Sequence, residues 1–255
     1  MPTSNKLSGK IPLSLPDEKN YAATLLQRVR ILIERGQLNA ASLLLPTLDT
    51  LYPNQDAGAI IAAEIALARG NITEASTAID RGLANTPQSA GLLILRARLN
   101  LLSRDLIGAA LAAADAVTAE PANAEAKSLL GRALLELGMK EQATICLREA
   151  LGDMPHDVLT LTALSRASPA DAEAAIRRAL LSGTNDTTMR NALIGVMLAR
   201  GDIDGATAEI KNLTVSGTAD AQTSLLAVQA AVDSENWGDA VSLFNQSTVH
   251  LPRHA

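Results

Sequence analysis

The sequence predicts an all-α solenoid, a stack of antiparallel helix hairpins, and three observations carry that expectation. First, Gly36, Gly70 and Gly138 fall on a single 34-residue beat, with Arg104 in the place between the last two. Second, two other registers keep the same time: Ala41, Ala75, Ala109 and Ala143, and Pro53, Pro87, Pro121 and Pro155. Third, the order within each copy is constant, a glycine (Arg104 in the third copy), a small residue five places later and a proline twelve beyond that. Such a period means one supersecondary unit copied and stacked, because each copy has an apolar face that only its neighbours cover.

Each mark has a mechanical reason. Glycine lets the chain take the left-handed conformation that ends the first helix and starts a tight turn. Alanine, without a bulky side chain, lets the second helix lie close against the first. Proline has no amide hydrogen and disfavours helix in the residue before it, so it ends the second helix. A helix-turn-helix of 34 residues follows.

On these residues the chain resembles the tetratricopeptide repeat family, whose signature runs small residues through two helices to a closing proline. The fullest match is 124–157, where Leu130-Gly131, Gly138, Ala143, Ala150 and Pro155 stand at the family's places. The resemblance implies a right-handed superhelical solenoid over 17–255, with repeats at 22–55, 56–89, 90–123, 124–157, a short 158–186, 187–220 and 221–254. Gly201, Ala206, Ala240 and Pro252 resume the pattern after the short repeat. Residues 1–16, with Pro2, Pro12 and Pro16, read as a mobile tail before a helix starting at Asp17. The alternation of Ile11, Leu13 and Leu15 leaves open that this segment lies in a groove, its own or a neighbour's.

The chain departs from the family in two ways. Aromatic residues are only 2% of it, and their places go to aliphatics such as Leu25, Leu32, Ile79, Leu134 and Leu147. A core of this kind reaches native density if the helices approach closely, and recognition by aromatic stacking is not expected. The second departure is a loss of five residues between Arg166 and Ala172, since the beat puts the second-helix alanine at 177. Ser168-Pro169-Ala170-Asp171 then reads as a fresh helix start, with serine as N-cap, proline at the first helical place and an acid in the first turn. Two explanations stand, neutral drift and a bend or side opening that a partner uses.

Composition bounds the function. No apolar run reaches the roughly 20 residues of a membrane span, because Arg69, Arg96, Arg98 and Glu136 interrupt the best candidates. The N-terminus lacks a hydrophobic signal core, so cytoplasm is expected unless an upstream signal has been removed. A net charge of −5 with no basic block argues against a nucleic-acid surface. Lone Cys146 reads as a small buried hydrophobe. His156, His250 and His254 have no cysteine or carboxylate arranged to complete a metal site, and no phosphate loop is present. The expectation is a non-enzymatic protein with no catalytic residue, no metal and no cofactor.

The resemblance also implies where a ligand would sit. The ninth place of each first helix is Arg30, Glu64, Arg98, Arg132 and Arg166, and in the family this place faces a concave groove together with the fifth and the twelfth. Steps of four and three put these places on one helix face. The fifth is Leu26, Ile60 and Ile94, then Ser128 and Thr162; the twelfth is Ile33, Leu67, Leu101 and Leu135. The expected partner is another protein, offering an extended or helical segment with apolar and acidic residues. An exposed arginine-carboxylate pair is worth about 0.2–1 kcal/mol and a buried ligand leucine about 1.5–3 kcal/mol, so apolar anchors would supply affinity and arginines register. The alternative is that the twelfth place only packs between neighbouring helices and the arginines are ordinary surface. The lysine and asparagine clamp some members use for a C-terminal carboxylate is absent, those places holding Leu26 and Ile61.

The last helix, expected from Trp237 to about Leu251, has no helix after it to cover Phe244, Thr248 and Leu251. Either a native polypeptide that continues or a homodimer through this end would cover them. Two other functions compete with the scaffold: a recruiting module of a larger methyltransferase, sulfotransferase or glycosyltransferase, and a self-assembling structural array.

Overall fold

Every described beat position ends a helix in the left-handed region, glycine or not. Gly36, Gly70, Gly138 and Gly201 have φ of 70, 72, 82 and 77°, and Arg104 and Glu235 keep the same place at 63 and 59°. The amide of the next residue reaches the carbonyl five back, as Gln37 to Leu32 at 2.8 Å, Asp105 to Asn100 at 2.9 Å and Met139 to Leu134 at 2.9 Å. This satisfies carbonyls that the helix end would otherwise leave unpaired. The following residue then caps the second helix where its side chain allows: Asn71, Asp105 and Asp202 accept from backbone amides three residues on, whereas Gln37 and Met139 do not.

The computed structural model describes residues 18–51, 56–181 and 186–248, and among them it is all α-helix. The expected tail at 1–16, Pro252 and Leu251 lie outside the described residues. The chain forms two units, 1–95 and 96–255. The first holds α1 (Glu18–Glu34), α2 (Leu38–Ser42), α3 (Leu45–Leu51), α4 (Ala57–Ala68), α5 (Ile72–Asn85) and the start of α6 (Ala90–Leu102). The second holds the rest of α6 and then α7 (Leu106–Ala119), α8 (Ala124–Glu136), α9 (Lys140–Asp153), α10 (Val158–Ala167) and α11 (Pro169–Leu181). It closes with α12 (Thr187–Ala199), α13 (Ile203–Val215), α14 (Ala221–Asp233) and α15 (Trp237–Thr248).

One element differs from the expected hairpin. The second helix of the first repeat is broken into α2 and α3, and Pro46 explains the break. Its missing amide cannot donate to Ser42, and its ring clashes with that carbonyl in a continuous helix. At three other described places proline ends a helix as expected, while Pro53 lies outside the described residues. Thr86, Glu120 and Met154, each just before Pro87, Pro121 or Pro155, leave the helical region with φ near −130° (−132, −135 and −122°).

Packing follows the small residues. Ala41, Ala75, Ala109, Ala143, Ala172, Ala206 and Ala240 are all buried. A Cβ on Gly131 would stand 2.6 Å from Leu147 Cγ and 3.2 Å from the Ala143 carbonyl, which shows how closely α8 and α9 approach. The first unit's core is Leu25, Val29, Ala41, Leu48, Ile61 and Ile65. In the second, Leu147, Leu164, Ile176, Met189, Ile194 and Leu213 are the largest fully buried members of a continuous cluster. Buried polar residues staple neighbouring first helices. Ser128 of α8 meets Thr160 of α10 at 2.6 Å, and Thr160 in turn donates to its own N-cap, Asp157. Asn191 of α12 donates to Asp220, the N-cap of α14, at 2.9 Å and accepts from Thr223 at 2.8 Å.

Candidate protein-docking face

In the second unit the first helices of consecutive hairpins present two adjoining concavities. One, of about 520 Å³, is lined by Arg98, Leu101, Ser128, Arg132, Met154 and Leu159 among others. The other, of about 260 Å³, takes Leu101, Arg104, Arg132, Leu135, Thr162 and Arg166. Arg98, Leu101, Arg132, Leu135 and Arg166, chosen by the period, therefore do come together. Arg132 and Leu101 belong to both concavities, with Leu159 at their shared edge. Helical spacing of the places and a 34-residue step between hairpins suffice to aim these side chains at one surface.

The arginines are not electrostatically alike. Arg98 pairs with Glu125 of α8. Arg166 of α10 donates to Glu136 of α8 at 2.6 Å, and Arg104 stands 3.9 Å from the same carboxylate. The hydrogen bond from Arg166, aided by the charges of Arg104 and Arg132, holds the Glu136 carboxyl below the usual range for a glutamate. Arg132 itself makes no ion pair among the described residues. Glu125 and Glu136 were not visible as part of this face in the sequence, since neither repeats with the period. Their only local signal is an acid in the first turn of α8 and another in its last.

Apolar surface frames the cations. Leu102 is 67% exposed and Leu159 is 59% exposed beside the concavities. Leu135 is buried beneath them. In the first unit, described by itself, Arg30 is exposed, Leu26, Ile33, Ile60, Glu64 and Leu67 are half-buried, and Ile94 is buried. Phe244 on α15 is exposed together with Trp237 and Val241, which lie two turns and one turn before it on the same stripe. The side chain of Thr248 falls outside the described residues.

No group of three potential ligands for a metal occurs among the described residues, and no described helix is long and apolar enough to cross a membrane. Cys146 is half-buried rather than fully enclosed; desolvation and the nearby Glu149 charge push its thiol pKa up, away from reactivity. His156 is exposed, and His250 and His254 lie outside the described residues.

No family model matches the sequence, and no curated protein does. Solved structures do match in fold. A tetratricopeptide repeat protein from Parabacteroides merdae superposes with a TM-score of 0.62 at 14% identity, covering 92% of this chain and 95% of that one. PilF of Pseudomonas aeruginosa gives 0.57 at 21% identity over 78% of this chain and 93% of its own. A chain of the APC/C Cut9–Hcn1 hetero-tetramer gives 0.63 at 17% identity over 90% of this chain and 46% of its own. The chain has the tetratricopeptide repeat fold.

Proposed function

We propose that this helical-repeat protein is a non-catalytic scaffold whose concave face, built by α6, α8 and α10, holds a segment of another protein. The observation that carries the reading is Arg132, a cation without an ion-pair partner among the described residues, set between two concavities and beside exposed Leu102 and Leu159. A segment with an apolar side chain on Leu101 and Leu159 and a carboxylate on Arg132 satisfies both. Burying that side chain contributes about 1.5–3 kcal/mol and the charge pair up to about 1 kcal/mol, so the anchor sets affinity and Arg132 sets register. The Cut9–Hcn1 match, a repeat-fold chain in a protein complex, supports a protein as the ligand.

The test begins with pull-down and mass spectrometry to identify a partner, followed by calorimetry with purified components. Arg132→Glu is expected to weaken binding about tenfold with only a small change in the melt, since Arg132 is half-buried but makes no ion pair among the described residues. An affinity untouched by Arg132→Glu and by Leu159→Asp overturns the reading.

A second reading concerns α15, where Trp237, Val241 and Phe244 are 63%, 61% and 53% exposed along one stripe. A two-fold contact between copies would cover it from both sides. Sedimentation at rising concentration is expected to show a dimer that Val241→Asp abolishes; a strict monomer at high concentration refutes it.

A further inference from the structure

The shortened repeat lies next to a second concavity, away from the concave face. The helix α10 has 10 residues where α8 and α12 have 13, and α11 starts at Pro169, directly after extended Ser168. Between the second helices α9 and α11 a slot of about 640 Å³ opens. Leu151, Pro155, Ala179, Ile145, Gly152 and Ala175 supply apolar lining. Ile145 is 57% exposed there.

Two observations point to an occupant. The first is charge. Arg148 stands 3.6 Å from Asp171, and Glu149 pairs with Lys127 at 2.9 Å, so three of the four charges lining the slot are already matched. The Arg178 side chain makes no ion pair or hydrogen bond among the described residues, leaving one unpaired positive charge among those lining the slot. The second is Gly152, the next-to-last residue of α9. A Cβ there would meet nothing within 4 Å, in contrast to Gly131 and Gly82, where Cβ atoms would collide with Leu147 and Leu92. Glycine is unfavourable in a helix relative to alanine, so packing within the chain gives no reason for it. Close approach of an outside group does.

We propose that the α9–α11 slot is a second docking site, taking a protein segment that carries an apolar side chain beside a carboxylate. The apolar group passes over Gly152 onto Ile145 and Ala175, and the carboxylate meets Arg178. This site is independent of the concave face.

Phage-displayed random dodecapeptides selected on the immobilised full-length chain supply the probe, and fluorescein-labelled synthetic copies are titrated by anisotropy. One enriched class is expected to place an apolar residue next to Asp or Glu. Its affinity should fall about tenfold with Arg178→Glu, fall more modestly with Gly152→Ala, vanish with Gly152→Phe, and stay unchanged with Arg132→Glu. Replacing the peptide's acid by lysine should restore binding to Arg178→Glu. Both altered positions open to solvent, and circular dichroism melts verify that the variants are folded. The proposal is overturned if no such class is enriched, or if every enriched peptide binds Arg178→Glu and Gly152→Phe as tightly as the unaltered chain. Failure at the concave face would appear separately, as insensitivity of its ligand to Arg132→Glu.

Discussion

The hairpin α8–α9 and the hairpin α10–α11 sit side by side and solve one packing problem with different connectors. In the first, Glu136 ends one helix, Gly138 turns left-handed at φ 82° and the second helix starts at Lys140. In the second, a single extended residue, Ser168 with φ −148° and ψ 94°, joins Ala167 to Pro169. The packing residues nevertheless correspond. Ala143 and Leu147 in α9 become Ala172 and Ile176 in α11, and all four are buried. The deletion has thus removed the end of a first helix and its turn while keeping the contact between the paired helices. What holds the array together is the small-residue register of the second helix, and the turn is replaceable.

The largest effect that tests this comparison is cavity formation in the two second helices. Leu147→Ala and Ile176→Ala each remove a fully buried side chain from the same cluster and are expected to cost about 2–5 kcal/mol. Similar losses in urea melts would show that the short hairpin is packed as firmly as the regular one. A loss at Ile176 under half that at Leu147 would show that the deletion has loosened the core around it.

The same comparison explains what could be read beforehand. A left-handed turn, a close helix approach and a helix stop each restrict which residues are tolerated locally, so Gly138, Ala143 and Pro155 announced themselves. The site was legible only in part, for a reason of the same kind. Arg98, Leu101, Arg132, Leu135 and Arg166 share a face because the helix period puts them there, and the period is visible. Their ion-pair partners Glu125 and Glu136 are set by side-chain reach across neighbouring hairpins, which leaves no repeat in the sequence. The lining of the slot between α9 and α11 and its unmatched Arg178 depend on how α11 settles against α9, which no repeat in the sequence announces. Pro46, off the proline beat, breaks the second helix of the first repeat because a single residue's chemistry overrides the pattern of its neighbours.

A smaller effect sharpens the contrast between connectors. A non-glycine residue in the left-handed region costs about 1–2 kcal/mol, so Gly138→Ala should destabilise by about that amount. Arg104 occupies the equivalent place at φ 63°, and its side chain is 81% exposed with only a long contact to Glu136, so Arg104→Gly should stabilise by about 1 kcal/mol. Ser168, extended and outside the left-handed region, should lose stability on replacement by glycine. A set of chemical melts in which Arg104→Gly lowers the midpoint would show that this turn is held by something other than its backbone conformation.

The smallest expected effect lies in the ion pair that bridges the two hairpins. Glu136 at the end of α8 accepts from Arg166 at the end of the shortened α10, and this hydrogen bond, with the nearby arginine charges, depresses its pKa below the ordinary 4.5. A carboxylate whose folded-state pKa lies below its unfolded value adds stability that is fully present above the unfolded value and is lost as pH falls through the folded one. The contribution should therefore hold at neutral pH and fade below about pH 4.5. Because the pair is largely solvent-exposed, its worth is no more than about 0.2–1 kcal/mol and should shrink further in high salt. Glu136→Gln removes the titration, so the gap in urea midpoint between it and the unaltered chain should narrow as pH is lowered from about 6 to about 3. Arg166→Gln should narrow it in the same way. A gap that stays constant with pH would mean the bridge contributes packing and no charge, and the two hairpins would then be joined through Ser128, Thr160 and the apolar core alone.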